Sequence, residues 1–232
     1  MVTLPEGPEH RHASAWANHA AGQAKAFVGI AGNIGVGKST LTRLLSCRLG
    51  WEPFYEAVND NPYLADFYQD MARWSFHSQV YFLSHRLRHH WQLVKREGSV
   101  LQDRTVYEDA EVFACNLYRQ GLMNERDYAA YRDLYEIAVT VLPPPDLLVY
   151  LQASVPVLQA RIRQRGRPFE RAIAVEYLEQ LNALYDEWAA CFTLCPVLTV
   201  PTDHLDFVSN PEHLHNLVNR ILGCLEANRR HA

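Results

Sequence analysis

The sequence predicts an α/β fold, a parallel five-stranded sheet with helices on both faces. Three observations carry this. Apolar runs of strand length alternate with helical stretches along most of the chain. The first run, Phe27-Val28-Gly29-Ile30-Ala31, enters a glycine-rich turn and leaves it as a helix. The 232 residues, 48% of them apolar, suit one domain with a sizeable core.

Each element has its own signal. Strand one spans about 26–31, and a shorter second strand about 51–56, ending at Glu56. The turn cluster Asn59-Asp60-Asn61-Pro62 should start a helix near Pro62. A stretch without Gly or Pro over 73–97 reads as a long helix, stopped by Gly98. Ser99 to Gln102 reads as a buried strand ending at Asp103, followed by helices over 105–119 and 125–141. Pro143-Pro144-Pro145 closes that region. Asp146-Leu147-Leu148-Val149-Tyr150-Leu151 is the strongest strand after the first. A helix, an Arg-rich turn, a helix over 174–193, a last strand over 196–200 and a helix from Pro211 complete the chain. Residues 1–24 lack an apolar signal core and read as a flexible tail before one domain over 25–232.

A net charge of −4 argues against a general binder of nucleic-acid polymers, so the positive charges that matter are local. No apolar run approaches the ~18 residues of a membrane span. Five cysteines without a C-x-x-C pair read as reduced, mostly buried thiols of a cytoplasmic protein. His213-x-His215 reads as surface rather than a metal site.

Gly32-Asn33-Ile34-Gly35-Val36-Gly37-Lys38-Ser39 fits G-x-x-x-x-G-K-[ST] at every fixed position, and Thr40 continues into the helix. Glycines let the backbone curl so that amide N–H groups point inward as an anion nest, and the helix N-terminus adds positive potential. Lys38 is expected to reach the β- and γ-phosphates of a nucleotide and the Ser39 hydroxyl to ligate Mg²⁺. In such sheets ligands bind beyond the carboxyl ends of the strands, where Lys38, Glu56 and Asp103 stand.

Other constellations fall into place around this loop. Asp103-Arg104-Thr105 follows the third strand, with Asp103 suited to Mg²⁺ and Arg104 to bridging the transferred group and its acceptor. Glu56, beside Pro53-Phe54-Tyr55, suits a general base for a hydroxyl nucleophile. Gln79 and Arg86 are seven apart and share a helix face with Phe82 and Leu83, like the wall of a base pocket. Asp109 is a candidate partner for Arg86, and Phe113 one turn later can stack on a base. Arg161 and Arg165 are i,i+4 neighbours near Gly166 and Arg167; their mutual repulsion makes sense if an anion arrives between them.

With these residues in hand, the chain resembles the deoxynucleoside kinase family, the group that includes deoxycytidine, deoxyguanosine and deoxyadenosine kinases, over roughly 25–225. The resemblance implies a three-layer P-loop kinase fold with an Arg-rich lid, R-x-x-x-R-G-R, matched by Arg161, Arg165, Gly166 and Arg167. It matches Glu56 to the family's strand-end Glu, and Tyr68 and Glu170 to residues that contact the sugar 3′-hydroxyl. It matches Gln79 and Arg86 to the base-reading pair, and Asp109 and Phe113 to its companions. Thr105 stands where the family usually has Ser, and Pro168-Phe169 departs from the polar pair of many relatives. It implies an ATP-dependent transfer of phosphate to the 5′-hydroxyl of a deoxyribonucleoside carrying adenine, guanine or cytosine. It also implies a homodimer built on helix packing. Two alternatives remain: a nucleoside monophosphate kinase of the thymidylate type, which needs basic residues at the acceptor, and a catalytically inactive nucleotide-binding homologue.

Overall fold

The computed structural model describes residues 25–55, 61–167, 170 and 173–231. The tail over 1–24, Glu56 and the Pro168-Phe169 pair fall outside the described residues. Five strands, all parallel, form one sheet in the order β2-β3-β1-β4-β5. They are β1 (Phe27–Gly32), β2 (Glu52–Phe54), β3 (Val100–Asp103), β4 (Leu147–Gln152) and β5 (Val197–Pro201).

Side chains alternate across the sheet and divide the core in two. On β4, Leu147, Val149 and Leu151 join one cluster while Leu148 and Tyr150 join the other. The first cluster is covered by α1 (Lys38–Leu49), through Leu41, Leu45 and Leu49. It also takes Leu158 of α6 (Val155–Arg165) and Leu217, Val218 and Ile221 of α8 (Pro211–His231). The second takes Leu64 and Phe67 of α2 (Leu64–Gln69) and Leu83 of α3 (Met71–Val94). Tyr131 of α5 (Glu125–Val141) and Leu181 and Tyr185 of α7 (Val175–Cys191) complete that face. Each fully buried leucine contributes roughly 1.5–3 kcal/mol by leaving water.

The central strand β1 needs Gly29. A β-carbon there would lie 2.6 Å from the Thr105 methyl and 3.2 Å from Leu148 Cδ1. The turn after β3 therefore rests directly on the β1 backbone.

Several elements depart from the sequence reading. β2 stops at Phe54 rather than reaching 56. It is the edge strand, pairs only with β3, and carries Pro53, which has no N–H to give a ladder. The helix expected from Pro62 begins at Leu64 and breaks at Asp70, whose carboxylate accepts the Arg73 N–H (3.1 Å) and caps α3. The helix over 105–119 is α4, an α-turn Val106–Glu108, a π-helical segment Asp109–Ala114 and a last stretch Cys115–Arg119. Such π segments are rare and concentrate at functional sites. The cysteines are all free but not mostly buried: Cys47 and Cys191 are exposed and the other three half-buried.

Candidate active site

A cleft of about 720 Å³ opens at the carboxyl end of the sheet. At one end lies the phosphate loop. Gly35 has φ +84°, and a β-carbon there would sit 2.6 Å from Ile162 Cγ1 and 3.0 Å from the Leu158 carbonyl, so only glycine lets the loop lie on α6. Ile34 to Thr40 line the cleft; Gly32 and Asn33 do not. Asn33 is instead a buried anchor. Its amide donates to Leu178 O (3.0 Å) and Asn182 Oδ1 (2.7 Å) of α7, and its Oδ1 accepts the Ile34 N–H (2.7 Å). Lys38 Nζ folds over the loop and donates to Gly32 O (2.7 Å) and Asn33 O (3.1 Å).

The Ser39 hydroxyl donates to Asp103 Oδ2. Two hard oxygen donors, one neutral and one anionic, thus meet where the loop becomes a helix. That donor set fits Mg²⁺, which takes few protein oxygens and keeps its remaining positions for phosphate and water.

At the other end Tyr68, Gln79, Phe82, Asp109, Phe113 and Tyr177 line the cleft. Arg86 does not line it but stands behind Asp109. Its Nε donates to Oδ2 (2.9 Å) and its Nη2 to Oδ1 (3.2 Å), with both side chains 4% exposed. A further contact joins Arg86 Nη1 to Asp103 O (3.4 Å). The wall therefore presents an acceptor carboxylate held by a fork, with the Gln79 amide beside it. On α3 the guanidinium of Arg86 turns towards Asp109 and the π segment, so its expected part in reading the base runs together with that carboxylate.

Arg104 lies between the two ends. It has φ +67°, a left-handed conformation unfavourable for a side chain of this size, and its N–H donates to Ile30 O (3.0 Å). Its guanidinium carbon sits 4.2 Å from the centre of the Phe113 ring, so one face of that ring meets a cation.

The predicted lid arginines reach the cleft but do not face one another across an open charge. Arg161 donates to Val36 O (2.9 Å), Thr202 Oγ1 (3.0 Å) and Thr202 O (2.8 Å). Burial lowers its pKa from the usual arginine value, opposed by Asp203 and Asp206. Arg165 donates to Glu170 Oε2 from Nε (3.0 Å) and Nη2 (2.6 Å), and Arg167 to Glu170 Oε1 (3.3 Å). Protein acceptors thus offset the i,i+4 repulsion.

Two features escaped the sequence reading. The β5–α8 loop, Leu205 to Ser209, also lines the cleft, beside Arg161. Asp206 shapes it by accepting the Val208 and Ser209 N–H groups, while its own N–H donates to His213 Nδ1 (3.0 Å). No motif in the sequence marks that loop. The second is Glu108, fully buried behind the phosphate loop. The spacing Thr105-x-x-Glu108 is a capping-box signature and could have found it.

A family model for deoxynucleoside kinase matches residues 28–225. The chain is 37% identical over 206 residues to deoxyadenosine/deoxycytidine kinase of Bacillus subtilis (strain 168), covering 88% of this chain and 95% of that protein. It is 34% identical over 200 residues to deoxyguanosine kinase of the same organism, covering 84% and 95%. It also superposes on deoxyadenosine kinase from M. mycoides with the products dCMP and a flexible dCDP bound. There the TM-score is 0.76 at 32% identity, covering 85% of this chain and 99% of that one.

Proposed function

The chain belongs to the deoxynucleoside kinase family, and from that premise we propose how it moves phosphate from ATP to a deoxynucleoside 5′-hydroxyl. The observation that carries the reading is the single cleft, with Lys38 and Ser39 at one end and Gln79, Asp109 and Phe113 at the other. Phosphoryl transfer asks little covalent chemistry of a protein; it asks for positioning and for cations where negative charge develops. Lys38 leaves its loop carbonyls for the β/γ-phosphates, and the loop amides from Ile34 to Thr40 cradle them. Ser39 and Asp103 would hold Mg²⁺, which would supply positive charge to offset that of the transferring phosphates. Arg104 steadies the acceptor oxygen. Arg161, Arg165 and Arg167 close over the donor.

Glu56 takes the 5′-hydroxyl proton in this reading. Its support is register: Phe54 lies opposite Gln102, next to Asp103, so the chain leaves β2 at the end of the sheet where the cleft opens. Tyr68 and Glu170 receive the 3′-hydroxyl. Asp109, a carboxylate acceptor on the cleft wall, favours a base that donates from an amine. Adenine and cytosine share one edge, an amine beside an unprotonated ring nitrogen, and Gln79 can serve both halves of it. We therefore rank deoxyadenosine and deoxycytidine ahead of deoxyguanosine, with thymidine last.

A monophosphate kinase needs basic groups at the acceptor end, where Leu64, Phe67, Tyr68, Gln79, Phe82 and Phe113 are neutral. With the family match, neither that reading nor an inactive homologue is favoured. ATP-dependent phosphorylation of the four common deoxynucleosides and their ribose counterparts, in wild type and Glu56→Gln, tests the proposal. Deoxyadenosine and deoxycytidine should show the highest kcat/KM, and the variant should lose about 10³-fold in kcat, the scale of a lost general base. Thymidine ranking first, or near-normal turnover in the variant, would overturn the respective assignment.

The domain is read as one unit over 25–232. Free thiols, two of them exposed, suit a reducing compartment, and we assign the cytoplasm on that ground. No described helix is long and apolar enough to cross a membrane. A homodimer is supported by α5, whose outer face carries Leu134, Ile137 and Val141 at 49%, 69% and 71% exposure, three residues on one helical stripe. Sedimentation should give a dimer for wild type and a monomer for Ile137→Glu; a wild-type monomer would remove this partner.

A further inference from the structure

Glu108 is fully buried, and the transfer steps above do not use it. Both its oxygens are engaged. Oε1 accepts the Thr105 N–H (2.8 Å) and faces the Thr105 hydroxyl (3.4 Å). Oε2 accepts the Gly32 N–H (3.2 Å) and the Tyr185 hydroxyl (2.8 Å). A capping box needs only the first oxygen. The second reaches out of the helix to the opening glycine of the phosphate loop and to α7.

The four donors come from three separate elements. Gly32 ends β1 and opens the donor loop. Thr105 follows Arg104, whose left-handed backbone must be held from both sides. On one side the Arg104 N–H is tied to Ile30 O of β1 (3.0 Å); on the other, the next N–H, that of Thr105, is tied to Glu108. Tyr185 lies on the helix that also receives Asn33 of the loop through Leu178 and Asn182. Two of the donors are backbone N–H groups, which can only donate, so the site demands an acceptor at each oxygen. Burial pushes the Glu108 carboxyl above its usual range, while Arg104 and Lys38, the two cations of the transfer, draw it back.

We propose that Glu108 is a positioning residue for phosphoryl transfer, one buried carboxylate that fixes the Arg104 turn relative to the first glycine of the phosphate loop. It sets the distance between the donor's phosphates and the guanidinium that steadies the acceptor oxygen. Since Gly32 gives its N–H to Glu108, the anion nest proper starts beyond Gly32, in keeping with the residues that line the cleft. The inference rests on the assignment of Arg104 to the acceptor oxygen.

A double-mutant cycle tests it. Glu108→Gln keeps shape but turns an NH₂ group towards an N–H donor. It should lower kcat by about 10–10²-fold with nucleoside KM within about threefold, the pattern of an interaction used only in the transition state. Arg104→Ala should cost about 10²-fold. If Glu108 acts through Arg104, adding Glu108→Gln to Arg104→Ala should cost less than about threefold more, because the two losses are one. A purely structural carboxylate would lower Tm and leave the two kinetic losses multiplicative, and that result would overturn the proposal. So would wild-type kcat in Glu108→Gln. Wild-type kcat in Arg104→Ala would instead remove the reading of Arg104, and this inference with it. Should Glu108→Gln fail to fold, Tyr185→Phe removes one donor. It should cost about 3–10-fold alone and nothing further in Arg104→Ala; a full multiplicative loss there would count equally against the proposal.

Discussion

The two ends of the cleft are built on different plans. The donor end is one unbroken stretch, Ile34 to Thr40, and its cation is parked on carbonyls of its own loop, Gly32 O and Asn33 O. The acceptor end draws Tyr68, Gln79, Asp109, Phe113 and Glu170 from four separate segments, and its charges are already matched. Arg86 and Asp109 meet there as a buried fork. Backbone carbonyls are easily returned to water or to other donors, so the proposed transfer of Lys38 to an incoming phosphate breaks no ion pair with its loop. A buried ion pair is costly to break from one side. The donor end is prepared to change partners, and the base wall to stay as it is.

Three experiments break or sharpen that contrast. The largest effect should come from Lys38→Ala, which removes the mobile cation: transfer should fall about 10⁴-fold, the scale of a lost transition-state charge. Nucleoside affinity by calorimetry should stay near wild type. Retained transfer would show that the donor end does not depend on this lysine.

Arg86→Ala should act in the opposite way, on structure and selectivity together. It strands Asp109 in a buried wall, and unfolding titrations should register a loss of about 3–5 kcal/mol. Base ranking should shift while ATP affinity changes little. An unchanged ranking would make the fork purely structural.

The smallest effect concerns the far end of α3. His90 is fully buried, its Nε2–H donates to Pro143 O (2.8 Å), and its ring meets Phe27 edge-on at 5.2 Å. Nδ1 has no hydrogen-bond partner, so protonation would leave a buried donor unmatched. Burial lowers the pKa from 6.5, with the Pro143 bond opposing. The folded state thus binds this proton less readily than the unfolded chain. Stability from this group is complete above pH about 6.5 and is lost as pH falls below it towards the folded pKa. Melting curves should show part of the acid slope disappearing in His90→Gln, with nucleoside KM rising before ATP KM as α3 loosens. An identical slope in that variant would show that His90 does not seat the base wall.

Legibility in the sequence follows the same division. The phosphate loop could be read because its chemistry is contiguous, and the strands because sheet-buried runs are apolar on both faces. Gln79 and Arg86 could be placed on one helix face from their spacing, with Asp109 as a candidate partner for Arg86. Which of Arg86 and Asp109 faces the cavity could not, because the answer depends on the crossing of α3 and the π segment. The ends of β2 were misjudged for a related reason: Pro53 and an edge position shorten pairing that hydrophobicity alone would extend. The Leu205–Ser209 loop carries no signature at all, since its place in the cleft comes from where β5 ends. Glu108 is the instructive middle case. Its capping partner is three residues away and visible, but Gly32 and Tyr185, 76 and 77 residues distant, are not.

The contact between Gly29 and the Thr105 methyl carries a consequence for how such chains can vary. Space at this crossing is shared between a strand and a turn, and threonine at 105 has claimed all of it, leaving position 29 without room for even one carbon. A serine at 105 would hand that volume back. The two positions should therefore drift as a pair, larger at one when smaller at the other, with Arg104 beside them set to a fixed height above the sheet in either arrangement.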